Sequence, residues 1–139
     1  MRKRGFTLVE LLIVIIVIAV LAAIAIPKFA DRGIRARESA TKADLRLMRT
    51  AIENFSLDTG TYPLEPSHLS EPKPPEAGLD RKGNKVPISE ASWHGPYLEP
   101  VPNSSITGKP FEYSTDAGTV GKVTHPEGKA SDGTNYADW

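Results

Sequence analysis

A single carboxylate stands in a segment that is otherwise apolar. Glu10 follows Phe6-Thr7-Leu8-Val9 and precedes sixteen uninterrupted apolar residues, 11–26. A charged side chain well inside a membrane-spanning helix costs on the order of 2.5–3.5 kcal/mol on insertion scales, and it marks a partner or a pathway. Its own helix offers no cation, because the nearest, Arg4, lies in the basic leader Arg2-Lys3-Arg4-Gly5. Were the chain cut between Gly5 and Phe6, the new amine at Phe6 would have an unperturbed pKa of about 7.7–8.0 and be mostly protonated at neutral pH. A neighbouring copy shifted along the helix axis could then present that amine to Glu10. Such a buried pair adds little net stability, but losing one partner costs about 3–5 kcal/mol. Phe6 and Glu10 would therefore set the register between copies.

The other groups able to do chemistry do not assemble into a motif. His68, His94 and His125 are far apart, with no His-Glu-x-x-His run on a helix, and each is expected at the surface. No serine sits in a Gly-x-Ser-x-Gly turn, and no glycine-rich phosphate loop follows a strand. With no cysteine there is neither a disulfide framework nor a thiolate metal site. Lys plus Arg and Asp plus Glu both number 17. Removing Arg2, Lys3 and Arg4 leaves 14 basic against 17 acidic side chains, a net of −3. Bulk positive charge of the kind that binds nucleic acid is therefore absent. No enzymatic activity and no cofactor are expected. Asn103-Ser104-Ser105 matches a glycosylation sequon, a short pattern that also arises by chance.

Three regions must position the N-terminal pair. Residues 6–26 would form a helix of about 31 Å, matching a hydrocarbon core of about 30 Å. All the basic residues of the leader precede it, which leaves the N-terminus cytoplasmic and the rest outside. An uncleaved signal anchor would read the same way, but it has no need of Glu10. Beyond Pro27 the helix continues with charge on most turns, while Leu45, Met48, Ile52 and Phe55 recur at helical spacing as one apolar stripe. Gly60 is placed to cap it. Pro27 removes one backbone hydrogen bond and is expected to kink the helix.

Ten of the twelve prolines fall between Pro63 and Pro110, and the helical period stops there. Residues 62–94 read as a long irregular connection with one helical turn near 67–70 and turns at Gly83-Asn84 and the Pro72, Pro74, Pro75 cluster. The C-terminal third is then the only candidate for sheet. Lys109-Pro110-Phe111-Glu112-Tyr113-Ser114 alternates, Thr115-Asp116-Ala117-Gly118 is turn-like, and residues 120–125 could return antiparallel. Residues 93–98 could supply an earlier short strand or turn. Phe111, Tyr113, Val120 and Val123 are expected to pack on the helix stripe.

Gly5-Phe6-Thr7-Leu8-Val9-Glu10-Leu11-Leu12, followed by an apolar run and Pro27, resembles the class III signal and N-terminal helix of type IV pilins and of their relatives, the type II secretion pseudopilins. The resemblance implies cleavage after Gly5 by a prepilin peptidase and N-methylation of Phe6, which keeps the amine basic. It also implies that residues 19–27 could lose helical structure when subunits pack. Tyr62-Pro63, Gly95-Pro96-Tyr97-Leu98, Pro102, Gly108-Lys109-Pro110-Phe111-Glu112-Tyr113 and Asp138-Trp139 are similar to major pseudopilins, whose C-terminal loop often carries calcium. Asp116, Asp132 and Asp138 would be the oxygen donors here, although calcium needs about 6–8 of them and no EF-hand spacing exists. Many pilins close that loop with a disulfide, which this chain must replace by other means.

The expected fold is α+β, a long pilin-like N-terminal helix with a small antiparallel sheet on its C-terminal half. Residues 1–5 would be a removed leader, 6–27 a transmembrane and filament-core helix, and 28–139 the amphipathic helix half plus a globular head. The function implied is that of a structural subunit of a type IV pilus or related filament, a homo-oligomeric helical assembly built with prepilin peptidase and the pilus assembly machinery. It would lie in the bacterial inner membrane as a precursor and outside the cell once polymerised. A major pseudopilin of type II secretion, working in the periplasm, is the near alternative, and a monomeric membrane-anchored binding protein the distant one.

Overall fold

The helix stripe and its glycine stop are both realised. A computed structural model describes residues 6–139, with residues 27–30 described only as helix. The first helix, α1, runs Leu8–Thr59. It ends where expected, with Gly60 in the left-handed region at φ 71° and its N–H donating to the Ser56 carbonyl at 2.9 Å. The Thr59 hydroxyl donates to the Phe55 carbonyl at 2.8 Å, satisfying another of the last-turn acceptors. The kink expected at Pro27 lies outside the described residues, as does Gly5 of the cleavage junction.

Two compact units divide the chain, one ending at Ala36 and one spanning Arg37–Trp139. In the first, the apolar side chains from Phe6 to Ile26 are almost all exposed. They are long and apolar enough as a helix to cross a membrane, by length and composition.

The second unit has its own core. Leu45, Met48, Ala51, Ile52 and Phe55 from α1 are buried against Leu69, Phe111 and Val123. Phe55 also meets the rings of Trp93 and Tyr97, with centroids 5.7 and 5.6 Å away. Tyr113 joins this core partly buried, as expected, but Val120 does not belong to it and lines a small surface pocket with Tyr62 and Arg81 instead.

Sheet is present in two places rather than one. β1 (Ala77–Leu79) and β2 (Lys85–Pro87) pair antiparallel with Gly78 opposite Val86. Asp80 closes the turn between them by accepting hydrogen bonds from the N–H groups of Lys82 and Asn84 and from the Asn84 side chain, at 2.8–3.0 Å. These bonds, those from Asn84 foremost, hold its carboxyl below the usual range. Tyr62 extends this hairpin through a bridge to Leu79. Residues 62–94 are thus not a structureless connection. The 3₁₀ turn Pro66–Ser70 matches the short helical turn expected there, and a second, Glu90–Ser92, follows the hairpin. β3 (Glu112–Tyr113) pairs with β4 (Val123–Thr124) antiparallel, within the segments read as strands but only two residues long each. Residues 93–98 form no strand.

Candidate functional site

Glu10 has a partner that the sequence reading missed. Thr7 precedes the first helical residue and Glu10 is the third, and the two exchange hydrogen bonds. The Thr7 N–H and hydroxyl both donate to Glu10 Oε2 at 2.9 Å, and the Glu10 N–H donates to Thr7 Oγ1 at 3.3 Å. This is a capping box, in which two otherwise orphaned helix N–H groups are satisfied reciprocally. The signature Thr7-Leu8-Val9-Glu10 was available in the sequence. The carboxylate therefore meets donors within its own chain, while among the described residues no cation pairs with it. Phe6 lies one residue before the box and is 81% exposed. The N-terminal surface offers a capped acid and an uncovered apolar stripe, chemistry suited to helix-on-helix association.

The three candidate calcium aspartates do not converge. Asp116 lies in the turn after β3, where its N–H donates to Ser114 Oγ. Asp132 accepts from the Thr134 N–H and hydroxyl at 2.9 and 2.6 Å, bonds that keep its carboxyl below the usual range. Asp138 accepts from Asn135 Nδ2 at 3.3 Å. Among the described residues no group of three or more carboxylate, imidazole or thiolate side chains is placed to hold a metal ion.

Two of the three histidines differ from the surface placement expected for them. His94 is exposed and lies 3.5 Å from Asp58, but His68 is largely covered and lies near Glu65 and Glu71. His125 is buried, with Nε2 2.7 Å from the Ser104 hydroxyl and Nδ1 2.7 Å from the Pro126 carbonyl. Its ring packs against Tyr136 at 4.7 Å and Phe111 at 6.0 Å. It is a core residue, fixed because residues 123–125 enter the head interior from β4. Ser104, the middle residue of the sequon, is buried with it, while Asn103 and Ser105 are exposed.

A second set of residues that sequence reasoning missed lies on α1. Glu38, Lys42 and Arg49 all reach the chain beyond β4. Glu38 is buried and accepts from the Ser131 N–H and hydroxyl at 2.6 and 2.7 Å. Lys42 Nζ lies 4.2 Å from the centre of the Trp139 ring. Arg49 donates to the carbonyls of Val123 and Trp139.

Family models match the N-terminal helix segment and the head through His125. A model of the prokaryotic N-terminal methylation motif matches residues 1–26. That of the type II secretion system protein G matches residues 28–125, most of the chain. The chain belongs to the type II secretion system protein G family. It is 27% identical to the type II secretion system core protein G of Pseudomonas aeruginosa over 99% of this chain and 96% of that protein. The similarity to the core protein G of Vibrio cholerae is 25% over the whole chain and 94% of that protein. To the type IV major pilin protein PilA of Myxococcus xanthus it is 44% identical, over 44% of this chain and 28% of that one. No solved structure matches the chain. The protein G match covers both sheets and ends at His125, so residues 126–139 fall outside it.

Proposed function

We propose that this protein G family member is a structural filament subunit of the type IV pilin class, polymerising through the apolar half of α1 rather than catalysing a reaction. One observation carries the reading. A membrane-grade helix leaves its apolar surface uncovered, and it opens on the Thr7–Glu10 box inside the N-terminal methylation motif. In this reading the chain is cut between Gly5 and Phe6, and Phe6 is N-methylated. Residues 6–27 form the membrane segment and then the filament core, and residues 28–139 form its surface. The precursor resides in the inner membrane, and its partners are other copies, a prepilin peptidase and an assembly machinery. In the filament the Phe6 amine of a neighbour replaces or joins Thr7 at Glu10.

Two substitutions separate the local and intersubunit roles of Glu10. Gln is accepted at this position of a capping box, so Glu10→Gln keeps the cap and removes the charge, whereas Glu10→Leu removes both. With an intersubunit ion pair, both variants insert into the membrane and both fail to enter filaments. Normal filament yield from Glu10→Gln would refute the register role and leave Glu10 as a cap. Mass spectrometry of the native N-terminus tests the processing step: methylated Phe6 supports it, and an intact Met1 opposes it.

A second reading is favoured by the extent of the family match. The protein G model spans the head through His125, and the full-length relatives are type II secretion core proteins, whereas the PilA match covers less than half of this chain. This reading makes the assembly a short envelope-confined filament. Imaging cells that express the chain decides between them, since long surface fibres indicate a pilus and their absence alongside impaired secretion in a deletion strain indicates a pseudopilin.

A further inference from the structure

Residues 126–139 lie beyond the protein G family model, which ends at His125. Residues 126–139 first fold on themselves. The Ala130 N–H donates to the Thr134 carbonyl at 2.8 Å, and Gly133 turns the chain at φ 88°. Asp132 fixes Thr134, and the Thr134 hydroxyl in turn accepts from the Trp139 indole N–H at 3.2 Å. Through Thr134, Asp132 Oδ1 thereby helps orient Trp139. The calcium candidates Asp116, Asp132 and Asp138 do not assemble around this tail. Such an ion takes about 6–8 oxygen ligands, several of them carboxylates. Here Asp116 sits in another turn, Asp138 bonds Asn135, and no three ligating side chains converge among the described residues. The donor set does not fit the metal.

What holds the tail instead comes from α1. Glu38, Lys42 and Arg49 are separated by four and seven residues, which puts them on one stripe of a 3.6-residue helix, beside the apolar stripe that faces the core. Each meets a different part of the tail. The Glu38 carboxylate is buried and takes both donors of Ser131, each oxygen accepting one bond. Lys42 stands over the face of Trp139, where the ring quadrupole attracts a cation. Arg49 ties the Trp139 carbonyl to that of Val123 in β4 through one guanidinium. A planar fork can serve two carbonyls at once, which a lysine ammonium does poorly.

We propose that residues 126–139 are locked to α1 by a metal-free clasp, in which Glu38 grips the Ser131 turn while Lys42 and Arg49 grip Trp139. The clasp holds the tail with neither a cation nor a disulfide, so folding and assembly of this head proceed without calcium. It stands on the head geometry alone, whichever filament the chain builds.

The test uses the full-length chain in detergent micelles, followed by thermal unfolding and by hydrogen exchange of the tail amides, in calcium chloride and in EGTA. The wild-type midpoint and tail exchange are expected to be the same in both. Glu38→Gln is expected to speed exchange at the Ser131 amide by about ten- to a hundred-fold, the loss corresponding to a charge-assisted hydrogen bond, equally in calcium and chelator. Calcium raising the wild-type midpoint or slowing tail exchange, with the effect abolished by Asp132→Asn, would overturn the proposal in favour of a metal site. Unchanged tail exchange in Glu38→Gln would overturn the clasp itself. Lys42→Met gives a second reading if Glu38→Gln does not fold. It removes only the cation over Trp139, and faster exchange in residues 134–139 is expected, again independent of calcium; no change there counts against the clasp.

Discussion

Ile52 and Leu57 lie five residues apart on α1, and truncation should destabilise at the first and leave the second almost unchanged. Ile52 is 3% exposed and packs in the core with Leu45, Met48, Phe55, Leu69, Phe111 and Val123, whereas Leu57 is 77% exposed. Truncating a buried Ile to Ala costs about 2–5 kcal/mol, the spread reflecting how far the site collapses or fills. Ile52 also lines an open cleft of about 660 Å³ between α1 and β4, so solvent and neighbouring side chains can relax into the vacated space. That places Ile52→Ala at the low end, about 2–3 kcal/mol. Leu57→Ala, a surface change, should fall within about 0.5 kcal/mol of wild type. For a unit the size of residues 37–139, about 4 °C of melting temperature is lost per kcal/mol, so Ile52→Ala should melt at least about 8 °C lower and Leu57→Ala within about 2 °C. The measurement is thermal unfolding of unassembled chain in detergent, read by tryptophan fluorescence. Trp93 lies edge-on to Phe55 and reports the core, while the apolar half of α1 would dominate a helical signal without melting. Equal shifts in the two variants, or a shift for Ile52→Ala under about 4 °C, would refute the placement of the helix stripe against the head.

Three other outcomes are expected. Burial pushes the Tyr113 phenol well above the ordinary tyrosine range while its hydroxyl donates to the Pro63 carbonyl, and burial also raises Tyr97. The unfolded chain loses these protons near pH 10 and the folded chain holds them longer, so stability is complete below about pH 10 and falls as pH climbs beyond it. Denaturant unfolding between pH 9 and 11 should show that fall, and Tyr113→Phe should flatten it; an equal slope in the variant would contradict the assignment. Gly121 adopts φ 82° with its Cα against the Tyr62 ring, so Gly121→Ala meets both a disfavoured backbone and an occupied space and should cost at least about 1 kcal/mol in urea unfolding. Phe55→Ala, fully buried and in contact with both Trp93 and Tyr97, should cost more than Ile52→Ala, about 3–5 kcal/mol, in the same thermal assay.

The parts of this fold that were legible are those written as a period or a stop. Leu45, Met48, Ile52 and Phe55 repeat at the pitch of a helix, and that repeat survives any tertiary context because one face must be buried. Gly60 supplies the conformation that ends α1, and Phe111 and Tyr113, either side of Glu112, both turn to the core although only Glu112–Tyr113 is strand. The β1–β2 hairpin carries no such mark. Its strands are three residues long, β1 contains Gly78 and β2 ends in Pro87, and its turn is charged, so neither alternation nor β-branched enrichment appears. Gly78 is there for a tertiary reason, since a Cβ would strike Thr61 and the Tyr62 carbonyl. Contacts of that kind cannot be read along a chain.

The site divides the same way. The position of Glu10 among apolar residues was conspicuous, yet treating it as a charge in search of a cation hid the nearer solution, that a helix start needs acceptors and Thr7-Leu8-Val9-Glu10 supplies them. The two roles are compatible on physical grounds. In the proposed filament reading, an isolated subunit carries its carboxylate in lipid before any neighbour arrives, and three hydrogen bonds with Thr7 reduce the penalty of holding it there. A neighbour's ammonium can then attract the same oxygens more strongly than a hydroxyl does, because only the ammonium adds a net opposite charge in a medium of low dielectric. Glu10 would thus be stabilised enough to insert and still gain on assembly, which is why the charge-removing, cap-preserving Glu10→Gln substitution separates the two contributions where Glu10→Leu removes both.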